Sequence, residues 1–144
     1  MLSQLKIFRF DFQDKKLAAK AFDIRRKVFV EEQGVDPVLE YDKEEPSHHY
    51  LMLLGEKAIG AARWRETPEG IKLERFAVLK EYRNRGLGKI ILKEVLSDVI
   101  PTGKKIYLHS QQMAMPFYER NGFVKKGEEF VEAGMKHYYM EFRG

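Results

Sequence analysis

The chain has 144 residues, the usual size of one domain, with 44% hydrophobic residues, 33% charged residues and a net charge of +4. No apolar run approaches the roughly 18 residues of a membrane span, so no membrane partner is expected. There is no cysteine, which removes disulfides, thiolate metal sites and cysteine nucleophiles together and fits a cytoplasmic protein.

In chain order, Met1-Leu2-Ser3-Gln4-Leu5-Lys6 lacks a basic flank followed by an apolar core, so no signal peptide is expected. Phe8, Phe10 and Phe12 alternate with polar residues, the period of a half-buried strand. Asp14 can cap a following helix whose stripe is Leu17, Ala21, Ile24 and Val28, and Gly34 ends that pattern. Pro37 to Pro46 reads as a loop with a short helix. Two apolar runs, Tyr50–Leu54 and Ala58–Trp64, flank Gly55-Glu56-Lys57 and predict a hairpin. After the turn Thr67-Pro68-Glu69-Gly70, residues 71–78 return as a third strand. Ile90, Ile91, Val95 and Val99 mark a helix that stops at Pro101. Ile106–His109 is a short strand, Ala114–Arg120 a short helix capped by Asn121-Gly122, and Phe123-Val124 and His137–Phe142 are closing strands. Interleaved helices and strands with several hairpins predict a mixed α/β domain over residues 1–144, its sheet flanked by helices.

Charge is unevenly spread. Between Glu31 and Glu45 there are seven acids and one base, so that stretch carries −6 and the rest of the chain +10. A basic body attracts phosphorylated ligands, and an acidic stretch attracts cations when it is more than a solvated loop.

The strongest local signal joins the strand ending near Val78 to the helix starting near Gly88. Gly86 and Gly88 let backbone N–H groups approach a ligand, and the helix N-terminus adds partial positive charge. Arg83, Arg85 and Lys89 can supplement such a phosphate nest. A Walker loop needs Ser or Thr after Gly88-Lys89, where this chain has Ile90. A dinucleotide fingerprint needs a small residue where this chain has Ile91. A tight turn with no ligand has the same letters.

Arg83-Asn84-Arg85-Gly86-Leu87-Gly88 resembles the Gln/Arg-x-x-Gly-x-Gly/Ala signature of the GNAT superfamily of N-acetyltransferases. A second landmark, Ala114 followed by Met115 to Phe123, resembles that family's Ala-x-x-x-Tyr-x-x-x-Gly-Phe stretch. The Val28-Phe29-Val30-Glu31-Glu32-Gln33 segment is similar to small prokaryotic members. The resemblance implies a mixed, mostly antiparallel sheet of six to seven strands with about four helices. It also implies acetyl-CoA as acyl donor, with no metal, and a primary amine as acceptor.

The resemblance implies roles for particular positions. Phe76, Ala77 and Val78 would splay from the neighbouring strand and offer backbone groups to the pantetheine arm, an N–H near Phe76 polarising the thioester carbonyl. Residues Arg83, Asn84, Arg85, Gly86, Leu87, Gly88 and Lys89 would hold the pyrophosphate. Tyr118 would protonate the departing thiolate: a phenol near 10 and a thiol near 8.5 leave the transfer uphill by ~1.5 units, roughly 2 kcal/mol. Glu74 would accept the amine's proton directly or through water, with a pKa raised by partial burial, the competing reading being an ion pair with Arg75 or Lys72. Gln111 would position cofactor or acceptor. His109, His48 and His49 are weaker candidates, because a lone strand histidine is usually structural. The −6 stretch falls where members of the family wall the acceptor pocket, suggesting a cationic amine such as a polyamine, an aminosugar or a lysine side chain. Many members pair as homodimers, a state the resemblance leaves open here. A non-catalytic acyl-CoA sensor on the same fold is the alternative. A nucleic-acid partner is not expected, since the bases are scattered and the acidic stretch would repel phosphate.

Overall fold

In the computed structural model, which describes residues 4–144, seven strands form one sheet in the order β1-β2-β3-β4-β5-β7-β6. Residues 1–3, on which part of the N-terminal reading rests, lie outside the described residues. The strands are β1 (Leu5–Phe10), β2 (His48–Leu54), β3 (Lys57–Thr67), β4 (Gly70–Val78), β5 (Ile106–Gln111), β6 (Phe123–Glu132) and β7 (Met135–Phe142). Every neighbouring pair is antiparallel except β4 and β5. That parallel pair needs a crossover, supplied by α3 (Leu87–Val99).

The helices follow from local chemistry. Asp14 accepts a hydrogen bond from the Leu17 N–H at 3.1 Å and opens α1 (Lys15–Arg25). Asp36, followed by Pro37, caps the short α2 (Pro37–Glu40) in the same way. Between them Arg26–Glu32 winds as a π turn, so the helix runs past Val28 and its face rotates. The short α4 (Met115–Arg120) completes four α-helices among the described residues. No helix there is long and apolar enough to cross a membrane.

Two cores sandwich the sheet. On one face Leu87, Ile91, Leu92, Val95 and Val99 of α3 pack on Met52, Ile59, Ile71, Leu73 and Leu108. On the other, Ala21, Ile24 and Val28 cover Leu51, Leu53, Ala61 and Ala77. At ~25 cal/mol per Å², such two-sided burial holds the central strands rigid enough to position a site. β1 departs from the aromatic alternation expected of it. Leu5, Ile7 and Phe10 pack inward, Phe8 is exposed and Phe12 lies beyond the strand.

Candidate active site

Strands β4 and β5 pair only at Ile71–Ile106, Lys72–Tyr107 and Leu73–Leu108. Past Leu73, β4 carries an extra residue relative to β3: Arg63 faces Glu74 and Ala61 faces Ala77, leaving Arg75 and Phe76 opposite Ala62 alone. Such a bulge bends its strand and increases its twist. Arg75 sits at its centre with φ +57°, a left-handed conformation that costs a non-glycine residue about 1–2 kcal/mol. Its guanidinium offsets that cost by donating to the carbonyls of Leu39 and Glu40 at 3.2 Å and to Asp42 Oδ1 at 2.9 Å. The β5-facing edge of Phe76, Ala77 and Val78 therefore has no strand partner among the described residues.

At the far end of β4 the chain turns into α3 through Arg83–Gly86. Gly86 is the N-cap, in a left-handed conformation (φ +75°), with no side chain capping the helix. The first N–H groups of α3 have no intrahelical acceptor and face a helix dipole's positive end. A Cβ added at Gly86 would meet nothing within 4 Å, so there is open space beside the loop for a ligand. Gly88 rests against Phe117 of α4. Asn84 also has positive φ (+64°), which folds the loop back. Arg85 lies over the Tyr82 ring. Arg83 departs from its expected role: it is bound to Glu32 at 2.6 and 2.8 Å and to the Val78 carbonyl at 2.9 Å. It braces the loop against the π turn, leaving Arg85 and Lys89 as the loop's other cationic side chains.

A cavity of about 360 Å³ opens in the gap between β4 and β5. Tyr118 enters it from α4, its ring in edge contact with Phe76, Phe117 and Phe123. Burial pushes its phenol above the ordinary value, so the group stays protonated but is a weaker acid than the sequence arithmetic assumed. Gln111, last residue of β5, donates to Gln33 Oε1 at 2.8 Å, and both line the cavity. Glu32 at the end of the π turn and Gln33 just after it therefore fasten both arms of the cleft, Glu32 through Arg83 and Gln33 through Gln111.

Glu74 also lines the cavity, in a setting opposite to the one expected of it. It accepts from Arg65 Nε at 2.8 Å and Arg63 Nε at 3.2 Å, and Lys72 Nζ lies 3.2 Å away. Burial alone would push its carboxyl up, but the Arg65 hydrogen bonds and the charges of Arg63 and Lys72 outweigh it, leaving it at about 2. Lys72 is a partner as anticipated. Arg75, the other anticipated partner, points to Glu40 and Asp42 instead.

Histidines sort by location. His48 stacks on Trp64, and His49 stacks on Phe10 while bonding the Glu44 carbonyl; both serve packing. His109 lines the cavity, its Nδ1 3.1 Å from Glu132 Oε1, and His137 lies beyond that carboxylate at 3.9 Å. Sequence reading missed Glu132 and His137 as site residues, along with Gln33, Arg65 and Lys72. Ala133 and Gly134, both at positive φ, form the turn that joins β6 to β7 and puts Glu132 over the cavity. An Ala-Gly pair between two polar-apolar alternations was the available signal.

The acidic stretch is also different from its sequence reading. Glu31 pairs with Arg26, Glu32 with Arg83, Glu40 with Arg25 and Arg75, Asp42 with Arg63 and Arg75, and Glu44 with Arg25 and Arg63. Arg25, Arg63 and Glu40 are almost fully buried. Five of the seven acids are thus paired with arginines, Glu40 and Glu44 in the interior and Glu31, Glu32 and Asp42 nearer the surface, which offsets most of the charge that pointed to a cationic acceptor.

A parallel strand pair that splays beyond a bulge, with an uncapped glycine loop and helix at one end, is the architecture that the Arg83–Gly88 and Ala114–Phe123 landmarks led us to expect. The chain belongs to the GNAT acetyltransferases: it matches the Acetyltransferase (GNAT) domain family over residues 11–143. It is 41% identical over 123 residues to the Bacillus subtilis (strain 168) uncharacterized N-acetyltransferase YjcF, covering 83% of this chain and 88% of that one. In fold it is similar to Escherichia coli ElaA, with a TM-score of 0.86 at 21% identity over 96% of this chain and 99% of the other. It is also similar in fold to a Thermoplasma acidophilum PaiA N-acetyltransferase in complex with coenzyme A, with a TM-score of 0.69 at 16% identity over 97% and 99%. The family uses acetyl-CoA, and membership supports acyl transfer from it as the general activity. Among the described residues no cluster of potential metal ligands occurs.

Proposed function

We propose that the protein moves the acetyl group of acetyl-CoA to a primary amine by direct attack in the β4–β5 cleft. The observation that carries this reading is that one cavity is lined both by Tyr118 of α4 and by the polar groups of Glu74 on β4 and His109 on β5. A donor and an acceptor could therefore meet in it.

The α3 N-terminus suits the pyrophosphate. The N–H groups of Leu87, Gly88 and Lys89 would bind it, and the side chains of Arg85 and Lys89 would add charge. The unpaired edge of Phe76, Ala77 and Val78 would accept the pantetheine amides as a partner strand would, and the N–H near Phe76 would stabilise the developing oxyanion. Tyr118 would give its proton to the leaving thiolate. Burial keeps that proton in place at any physiological pH, at the expense of a steeper transfer. Gln111, held by Gln33, would fix the end of the cleft.

Glu74 suits a different task from proton acceptance. Its carboxyl at about 2 lies roughly eight units below an alkylammonium near 10.4, a direct transfer uphill by about 11 kcal/mol. Its fixed negative charge would instead hold Arg65 and Lys72 in the cavity wall.

The test is a panel of cationic, neutral and carboxylate-bearing primary amines, read by release of CoA thiol. Amine-dependent release supports the transferase. Thermal stabilisation by acetyl-CoA without release by any amine would favour the sensor alternative.

A further inference from the structure

With Glu74 neutralised by three cations, the acceptor's proton needs another destination. We infer that His109 is a catalytic base of this reaction, its ring oriented by Glu132 so that the other nitrogen faces the acceptor. This deepens the transferase reading and rests on it.

Four observations support it. His109 lies on β5 one residue past Leu108, the last residue paired with β4, so it stands where the cleft opens. It borders the same cavity as Tyr118 while remaining partly accessible, with 23% of its side chain exposed. Its Nδ1 is 3.1 Å from the Glu132 carboxylate, so the hydrogen bond fixes the tautomer and leaves Nε2 as the proton acceptor. Its ring is packed edge-on by Phe130 and flanked by Tyr139, which restricts it to few orientations. A carboxylate-oriented imidazole is the usual arrangement by which side chains accept a proton near neutral pH.

The surroundings do not provide a competing partner of equal geometry. Glu132 comes from β6, His137 and Tyr139 from β7, Tyr107 from β5 itself, Lys72 and Glu74 from β4, and Arg65 from β3. Lys72 and Arg65 are engaged by Glu74, and the Tyr107 hydroxyl by Thr67 at 2.6 Å. His137 directs its Nδ1 to the Met135 carbonyl at 2.9 Å, and its Nε2 is 3.9 Å from Glu132, beyond hydrogen-bond range.

The step balances as follows. The acceptor ammonium gives one proton to His109 Nε2, and the freed lone pair forms the C–N bond at the thioester carbonyl. The C–S bond then breaks, and Tyr118 protonates the thiolate. The surplus proton on the new amide nitrogen returns to Tyr118, and His109 releases its proton to solvent.

The experiment uses the best amine of the panel at saturating acetyl-CoA and measures kcat/KM for that amine against pH in the wild type, His109→Gln, Glu132→Gln and His137→Gln. Acetyl-CoA thermal stabilisation of each protein serves as the folding check. The inference predicts that His109→Gln loses roughly 100-fold or more in kcat/KM, with the acetyl-CoA KM unchanged, and loses an acid-side limb of the profile. Glu132→Gln should lower kcat/KM by about tenfold, because the imidazole loses the carboxylate that orients it. A His109→Gln protein within twofold of the wild type, with an unaltered profile, overturns the inference while leaving the transferase intact. So does a loss confined to His137→Gln. A wild type inert toward every amine removes the transferase reading itself.

Discussion

Tyr118 and Glu74 are both buried at the cavity wall, and their surroundings push them in opposite directions. Tyr118 packs among apolar and aromatic core residues, and no charged group or hydrogen bond offsets the loss of hydration of a phenolate, so its proton is retained. Replacing Tyr118 with Phe should lower kcat by about 100-fold while the acetyl-CoA dissociation constant changes less than about threefold, measured by steady-state kinetics and titration calorimetry. Because the folded value lies above the ordinary one, activity should show no alkaline fall from Tyr118 ionisation up to about pH 10. Glu74 is the reverse case, with a folded value of about 2 against an ordinary 4.5. A depressed carboxylate stabilises the fold fully above its unfolded value, and that stability is lost as pH falls from about 4.5 toward 2. The shift corresponds to about 3 kcal/mol. Glu74→Gln should therefore destabilise the protein by about 3 kcal/mol at neutral pH, leaving Arg65 and Lys72 without their anion and Arg63 with Asp42 and Glu44 alone. It should also flatten the acid arm of the stability curve, as followed by chemical denaturation between about pH 2 and 7.

At the scale of elements, the glycine loop and helix start of the candidate site were legible in the letters, and much of the cavity wall was not. Gly86 and Gly88 before an apolar stripe specify an uncapped helix start whatever the rest of the chain does. Gly86 is needed there both for its left-handed φ and for the space beside it. Gly86→Val should fold with about 1–2 kcal/mol of strain and fail to gain thermal stability from acetyl-CoA. The β5–α4 segment was readable for the same reason, since Pro116 near its start and Asn121-Gly122 at its end punctuate it locally. β6 was seen only at its first two residues. Lys125 to Glu129 is polar and contains Gly127 at φ +80°, within the irregularity between Lys126 and Phe130, so its period-two signal is broken. The π turn was hidden as well, because Leu17 to Val28 has an ordinary helical period and nothing local records the extra residue that carries Gln33 to Gln111.

Across the whole molecule, charges distant in sequence meet in one lattice that runs from the interior to the surface: Arg25, Glu40, Glu44, Arg63, Asp42 and Arg75 link α1, α2 and its following loop to β3 and β4. Composition counts those groups as an acidic segment on a basic body, and only the tertiary pairing reveals that they cancel. The lattice fastens the loop after α2 over the bulge at Arg75, so that loop and the splayed edge of β4 are positioned together. Arg25→Met should leave Glu40 and Glu44 short of a cation and destabilise the fold by about 3–5 kcal/mol, seen as a lower denaturant midpoint. The proposed transfer requires that the β4–β5 cavity and the α3 N-terminal loop serve one reaction. The most direct test is the initial rate of CoA thiol release by the wild-type protein as amine concentration rises, at saturating acetyl-CoA. The account predicts a rate that saturates with amine and nearly vanishes without it. A protein that acetyl-CoA stabilises, but whose thiol release is absent or indifferent to every amine offered, would contradict it.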